Sequence, residues 1–130
     1  MKRRHLLAGL AGTALMPLGS PTAAAWQPGG QELASRLVAA LERPASAVEV
    51  GRAYLRQHPE EIDGARLTMA LDADLRRRCE PVTAQPAQLR RAISRQVRDD
   101  FEQGRVAEVD GWILSLTEAR LCALAALHSA

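Results

Sequence analysis

The chain has 130 residues, of which 47% are hydrophobic and 25% are charged, and its formal net charge is +2. This composition excludes a collagen-like protein, a disordered acidic chain and a membrane protein with several spanning helices. Residues 2–4 supply the basic surplus, and without them 14 basic side chains stand against 15 acidic ones. That balance argues against a nucleic-acid-binding protein, which needs a basic face to neutralise phosphates.

The start of the chain has the three parts of an export signal. A cationic segment at residues 2–4 precedes an apolar run over Leu6–Leu18, and Ala23 and Ala25 are small residues placed for cleavage before Trp26. The apolar run is about 13 residues long, whereas a helix that spans a bilayer needs about 20. We therefore expect the signal to be cleaved during export, with no permanent membrane span.

The arginine pair in this signal resembles the twin-arginine motif. Arg3 and Arg4 precede one variable residue and two apolar ones, Leu6 and Leu7, which is the order found in twin-arginine signals. The alternative is an ordinary secretory signal that contains two arginines, but the short, glycine-containing apolar run favours the twin-arginine route. The resemblance implies a periplasmic protein whose export machinery carries it already folded, often with a cofactor or a bound partner.

Two amphipathic helices are predicted after the signal. Apolar residues at helical spacing predict the first over Gln31–Arg43 and the second over Ala45–Gln57, with Pro44 between them. Gly51 lies on the apolar arc of the second helix, where it lowers helix stability by roughly 1 kcal/mol relative to alanine. This position indicates close approach of a neighbouring helix.

The third and fourth predicted helices flank a proline-bracketed loop. The third begins at Pro59 and runs to about Cys79. It carries two apolar stripes, which indicate either a central helix contacted on both sides or a break near Gly64. Apolar residues at steps of four predict the fourth helix over Pro86–Gln103, and Gly104 is a natural stop.

A β-hairpin is predicted next. Apolar β-forming residues flank Asp110-Gly111, and this dipeptide is a strong signal for a two-residue hairpin turn. The predicted strands are Arg105–Val109 and Trp112–Ser115.

A last helix follows the hairpin. Ser115 and Glu118 have the spacing of a capping box, which opens a helix that runs to about His128. The expected organisation is a cleavable signal over residues 1–25 and a single mainly α domain over residues 26–130. This domain is a small bundle of about five helices with one short β-hairpin before the last helix.

Two charged residues fall within apolar helix faces. Asp100 lies in the apolar arc of the fourth helix, and Arg120 lies in that of the last helix. A charge that faces a core must be paired or lie at its edge. We expect the two residues to pair, or one of them to hold the Asp110-Gly111 hairpin; otherwise the Arg120 stem packs while its head reaches water. A structural tie is favoured over a ligand site.

Trp112 follows the hairpin turn and has two interpretations. A buried tryptophan here caps the core, whereas an exposed one is an interface anchor. The burial habits of tryptophan favour the core.

Residues that carry metal or covalent chemistry are few. Cys79 and Cys122 either form a disulfide or remain free thiols. The two histidines of the mature chain, His58 and His128, lack metal-ligand spacing. The sequence contains no glycine-rich phosphate loop and no nucleophile elbow. We expect no catalytic residue, no metal and no cofactor.

These features favour an exported, non-catalytic accessory protein. It is expected to be a small subunit or escort of a larger periplasmic protein, such as a redox enzyme. In its leader and overall size the chain resembles the small subunits of bacterial membrane-bound flavin dehydrogenases, and this resemblance implies a role in exporting a partner. The alternative is a small periplasmic enzyme or ligand-binding domain, with Asp100, Asp110, Trp112 and Arg120 around a pocket at the hairpin.

Overall fold

The computed structural model describes residues 28–77 and 85–129. The elements in chain order are α1 (Pro28–Ala39), α2 (Pro44–Gln57), α3 (Gly64–Arg76), α4 (Pro86–Glu102), β1 (Val106–Val109), β2 (Trp112–Ser115) and α5 (Leu116–His128). The predicted mainly α bundle with a hairpin before the last helix is confirmed. None of the helices in the described ranges is long and apolar enough to cross a membrane. Predictions for Arg3, Arg4, Leu6, Leu7, Ala23, Ala25 and Cys79 lie outside the described residues.

The boundary between α1 and α2 is set by proline. α1 ends at Ala39, four residues before its predicted end. The amide of Leu41 bonds to the carbonyl of Val38, three residues back, at 3.1 Å, so the chain tightens before leaving the helix. Arg43 has φ −132° and ψ 78°, because a residue that precedes proline is disfavoured in the helical region. Pro44 then begins α2, where its missing N–H is not needed.

The third predicted helix is broken before Gly64, as one of the two interpretations of its stripes required. Residues Pro59–Glu61 form a short 3-10 turn. α3 starts after Asp63, whose carboxylate accepts hydrogen bonds from the amides of Ala65 and Arg66 at 3.0 Å and 3.2 Å. This cap satisfies two amides that the helix start leaves unpaired.

α5 is the central helix of the bundle, and the interpretation that gave α3 this place is wrong. The second predicted stripe consists of Ile62, Ala65, Met69 and Ala73, and it lies mostly in solvent, with Ile62 60% and Met69 72% exposed. α5 contacts each of the other four helices in the described part of the chain. Its buried residues occupy most of its circumference; they are Thr117, Ala119, Leu121, Ala123, Leu124, Ala125 and Ala126.

α2 and α5 pack with their backbones in direct contact at Gly51. A Cβ placed on Gly51 would lie 1.9 Å from the carbonyl oxygen of Cys122 and 2.8 Å from the amide nitrogen of Ala123. Ala47, one turn before Gly51, is also buried. The close helix approach predicted from Gly51 is confirmed, because any side chain at this position would collide with the backbone of α5.

The β-hairpin has the predicted strands and turn. β1 and β2 are antiparallel, with Val106 opposite Ser115 and Val109 opposite Trp112. Asp110 has φ 48° and Gly111 has φ 82°, as a type I′ turn requires. Alternate residues point to opposite faces, so one face is turned towards the helices and the other towards solvent. Ala107, Val109, Trp112 and Leu114 belong to the inner face, where Trp112 extends past the body of the protein at the free end of the hairpin and is exposed. Val106, Glu108 and Ile113 belong to the outer face.

A Gly51→Ala substitution is expected to destabilise the fold strongly. The added methyl group must displace the backbone of α5, and such overpacking costs about 2–3 kcal/mol or more. Urea unfolding followed by circular dichroism measures the change. Gly30→Ala is the matched control, since a Cβ there meets nothing within 4 Å and alanine favours a helix. A Gly51→Ala protein as stable as the control would contradict the backbone contact.

Candidate functional site

Asp100 is a buried carboxylate at the end of α4, with 1% of its surface exposed. Its Oδ1 accepts a hydrogen bond from the side-chain amide of Gln96 at 3.0 Å, and its Oδ2 accepts one from the backbone N–H of Thr117 at 2.8 Å. The guanidinium of Arg105 lies 2.6 Å from Oδ1. Both carboxylate oxygens are thus occupied by groups of the fold itself.

Asp100 joins α4, the hairpin and α5. Its backbone carbonyl accepts a hydrogen bond from the N–H of Arg105 at 2.8 Å, as in the Schellman motif that ends many helices. The carbonyl of Arg105 in turn accepts from the N–H of Leu116 at 3.0 Å. Thr117 lies in the first turn of α5, where the helix dipole favours a negative charge. The side chain of one helix therefore caps the start of another and fixes the base of the hairpin between them.

The capping box predicted at the start of α5 is confirmed. The amide of Glu118 donates to the hydroxyl of Ser115 at 3.0 Å, and the amide of Ser115 donates to the carboxylate of Glu118 at 3.0 Å. With the bond from Thr117 to Asp100, three amides at this helix start have side-chain acceptors. The end of β2 and the start of α5 are consequently held in one geometry.

Arg105 lies among three aspartates. One of its terminal nitrogens is 3.9 Å from a carboxylate oxygen of Asp74, and the other is 3.9 Å from Asp99 and 2.6 Å from Asp100. The carboxylate of Asp99 also accepts a hydrogen bond from the side-chain amide of Gln103 at 3.1 Å. The cluster is therefore an ion-pair network that links α3, α4 and the chain entering the hairpin.

The surroundings of Asp100 keep it ionised. Burial alone would raise the pKa of this carboxyl group, but hydrogen bonding to Thr117 and Gln96 and the positive charge of Arg105 outweigh burial and lower the pKa below its usual value. Asp100 is consequently a structural anion and not a proton donor at neutral pH.

Arg120 pairs with Glu61, so the expected Asp100–Arg120 pair is wrong. The Nε of Arg120 lies 3.2 Å from Oε2 of Glu61, and Nη2 lies 2.9 Å from Oε1, which is the two-pronged geometry of a strong arginine–carboxylate pair. The hydroxyl of Tyr54 also donates to Oε2 of Glu61 at 2.8 Å. Asp100 instead meets α5 through the Thr117 backbone amide, a contact that side-chain periodicity does not reveal.

The groups around Glu61 stabilise one another's charge states. Burial raises the pKa of Tyr54, and its hydrogen bond to Glu61 raises that pKa further. Burial would also raise the pKa of Glu61, but hydrogen bonds from Arg120 and Tyr54 lower it overall. In this cluster Tyr54 is a neutral phenol, and Glu61 and Arg120 form an ion pair. Together they hold the 3-10 turn against α2 and α5.

Trp112 is 75% exposed, so the prediction that it caps the core is wrong. Its cross-strand neighbour Val109 is 2% exposed and packs in the hydrophobic core instead. Trp112 lies in the last residue pair before the turn, at the free end of the hairpin. Asp110, in the turn itself, is exposed as well.

The hairpin presents apolar side chains to solvent. Ile113 is 64% exposed and Val106 is 44% exposed on the outer face. Trp112 is paired with Val109 and therefore projects from the opposite face, at the free end of the hairpin. We call Val106, Trp112 and Ile113, the exposed apolar residues on the two faces of the hairpin, the hairpin patch. The four candidate residues Asp100, Asp110, Trp112 and Arg120 do not line one pocket: two are engaged in ion pairs inside the fold and two lie at the exposed end of the hairpin.

An apolar groove lies between α2 and α4, with a volume of about 700 Å³. Leu121 and Cys122 of α5 contribute to it, and so does Leu114 of β2. We call it the α2–α4 groove. Within the described residues the Cys122 thiol has no disulfide partner, and burial together with the negative charge of Glu118 raises its pKa to about 11. Since Cys79 lies outside the described residues, the choice between a bridge and free thiols stays open.

Metal-ligating residues do not gather in the described part of the chain. Across residues 28–77 and 85–129, no group of three or more histidines, cysteines and acidic residues is placed to hold a metal ion. His58 stacks on Tyr54 with ring centroids 4.4 Å apart, and its Nδ1 lies 3.2 Å from Glu60. His128 is exposed at the end of α5.

Two residues that organise these clusters are absent from the candidates drawn from the sequence. The position of Arg105 could have been predicted, because the residue after a helix-ending glycine bonds back to the last turn of the helix, where Asp100 lies. Glu61 had none, because 59 positions separate it from Arg120 and only the fold brings them together.

Comparisons of the chain with family models, with curated proteins and with solved structures found no match. Support for a function therefore comes from the chain's own residues and geometry.

The Glu61–Arg120 contact predicts measurable energetic coupling. In a double-mutant cycle with Glu61→Gln and Arg120→Met, we expect about 1–2 kcal/mol of coupling in the free energy of unfolding. The corresponding cycle with Asp100→Asn and Arg120→Met is expected to give a value near zero. The opposite ranking of the two cycles would contradict the observed pairing.

Asp100 is expected to make the fold sensitive to acid. Because its pKa is lower in the folded protein than the value of about 3.9 in the unfolded chain, its carboxylate stabilises the fold above about pH 4, and this contribution is lost as pH falls through the folded pKa. Asp100→Asn should remove about 2–3 kcal/mol at neutral pH and flatten the acid dependence. Urea unfolding across this pH range measures both effects.

Asp110→Asn is the matched control for that experiment. Asp110 is exposed in the hairpin turn, and asparagine suits the same positive-φ position. We expect it to change neither the stability at neutral pH nor its acid dependence. If Asp100→Asn and Asp110→Asn had the same stability and the same acid dependence, the buried network would make no specific contribution to the stability of the fold.

Proposed function

We propose that the protein is an exported, non-catalytic accessory subunit that binds and escorts a larger periplasmic protein through the hairpin patch. The observation that carries the proposal is the exposure of three apolar side chains on one short hairpin, with Val106 and Ile113 on its outer face and Trp112 on the other face at its free end. Exposed apolar groups of this kind mark interaction surfaces, and tryptophan is among the side chains that contribute most to protein–protein affinity.

The rigid support of the hairpin strengthens this proposal. Its base is held by the Asp100 network, and its end is joined to α5 by the Ser115–Glu118 capping box. A surface that is already fixed loses little conformational entropy on binding. The patch is thus suited to recognise a folded partner without rearrangement.

The alternative of a ligand or catalytic site at the hairpin has less support. Asp100 is buried with both oxygens bonded, and Arg120 is paired with Glu61. Neither charge is free to meet a substrate. Of the four residues, only Trp112 and Asp110 are exposed, and these two alone make no recognisable catalytic grouping.

The export signal suggests what kind of partner is bound. The resemblance of Arg3, Arg4, Leu6 and Leu7 to a twin-arginine motif favours transport in the folded state. A partner that lacks its own signal and must fold around a cofactor before export, as many redox enzymes do, would benefit from such an escort. Binding before transport would then bring both proteins to the periplasm together.

The patch is tested by capture of partners from the native host with the tagged full chain. Trp112→Ala is expected to reduce recovery of the main captured protein at least tenfold, as loss of about 2 kcal/mol or more at an interface anchor implies. Met69→Ala is the control, because Met69 is equally exposed but lies on α3. Unchanged capture by Trp112→Ala, or equal loss with Met69→Ala, would contradict the proposed surface.

The escort role is tested separately in cells. Deletion of the gene is expected to leave the captured partner in the cytoplasm, and a chain with Arg3→Lys and Arg4→Lys should not restore export. Fractionation with immunodetection of the partner gives the result. Normal export of the partner in the deletion strain would rule out escort, even if the complex itself exists.

A further inference from the structure

The α2–α4 groove is a second surface, distinct from the hairpin patch. Its apolar lining comes from several elements: Ala40 and Leu41 after α1, Ala47 and Val50 of α2, Ile93 and Val97 of α4, Leu114 of β2, and Leu121 of α5. Most of these side chains are only partly buried. The groove is therefore an apolar depression open to solvent along one side, where α2 and α4 do not close over α5.

The size of the groove suits a small molecule better than a protein segment. Its volume of about 700 Å³ lies within the 300–1,000 Å³ of typical small-ligand sites. On α4 the lining residues run from Arg90 to Val97, which is about 10 Å at 1.5 Å per residue. A docked helix places anchors over at least this length and continues beyond it, so a compact ligand fits the dimensions more closely.

One end of the groove is cationic. A smaller groove of about 330 Å³ adjoins it and shares Ala40 and Arg90. Among the residues that the structure describes, its lining also includes Arg36 but no acidic residue. Arg36 pairs with Glu32. Arg90, at the junction of the two grooves, forms no ion pair with any residue in the described ranges 28–77 and 85–129. A guanidinium is well matched to a carboxylate, which it can bind through two parallel hydrogen bonds.

Among the described lining residues, the acidic ones are Glu42 and Glu118, and both lie in the larger groove. The carboxylate of Glu118 is engaged by the amide of Ser115, and Glu42 is next to the exposed Arg43, which also lines the larger groove. The junction at Arg90 is therefore the place where the lining best favours a negative charge.

We infer that the α2–α4 groove binds a small carboxylate with an apolar tail. The tail lies over Ile93, Val97 and Leu121, and the carboxylate faces Arg90 at the junction. This inference does not depend on the proposed accessory role, because none of the hairpin patch residues lines the groove.

The test compares two probes that differ only in the charged group. Isothermal titration of the full chain with octanoate and with octanol is expected to show octanoate binding at least tenfold more tightly. Arg90→Gln should weaken octanoate about tenfold, as the loss of one charge-assisted contact implies, and leave octanol unchanged. Arg95→Gln is the matched control, since Arg95 is an exposed arginine of α4 that lines neither groove.

Cys122 reports whether the probe occupies the groove itself. In a Cys79→Ser background, the rate of Cys122 alkylation by N-ethylmaleimide should fall several-fold at saturating octanoate. No octanoate binding, equal affinity for octanol, equal effects of Arg90→Gln and Arg95→Gln, or unprotected Cys122 would each overturn the inference. Circular dichroism checks that the variants are folded. Failure of the partner-capture experiment with Trp112→Ala would contradict the accessory role and would leave this inference unaffected.

Discussion

The contacts of the buried Asp100 carboxylate are the interaction on which the geometry of the hairpin and of α5 depends. The backbone carbonyl of Asp100 helps to end α4, whereas its carboxylate pairs with Arg105 as the chain enters the hairpin and caps the first turn of α5 through Thr117. A buried charge is costly unless every oxygen has a partner, and here the partners come from three consecutive parts of the chain. The carboxylate therefore fixes where the hairpin leaves the body and how α5 begins. Together with the Ser115–Glu118 capping box, it determines the position of the hairpin and the entry of the central helix.

Two further constraints place α5 within the bundle. At Gly51 the backbone of α2 touches that of α5, which sets the distance between them. The Glu61–Arg120 pair, with the hydroxyl of Tyr54, holds the 3-10 turn against the same helix. Asp100 and Arg120, the two charged residues considered as candidates for a site, thus help to position α5. The surfaces proposed for interaction lie elsewhere: the hairpin patch is apolar, and the α2–α4 groove combines an apolar lining with Arg90.

Local features of the fold could be predicted from the sequence, whereas long-range ones could not. The Asp110-Gly111 turn and the Ser115–Glu118 box depend on neighbouring residues, and both are confirmed. Gly51 also signalled its close contact, since little else justifies glycine on an apolar helix face. The partner of Arg120 and the exposure of Trp112 depend on how elements from distant parts of the chain meet, and periodicity along one helix contains no such information.

The most direct test of the accessory role is native mass spectrometry of the protein isolated from the periplasm of its host. The account predicts a chain that begins at Trp26 in a stable complex with one larger protein that has no export signal of its own. A cytoplasmic chain that retains Met1, or a periplasmic monomer without any partner, would contradict it.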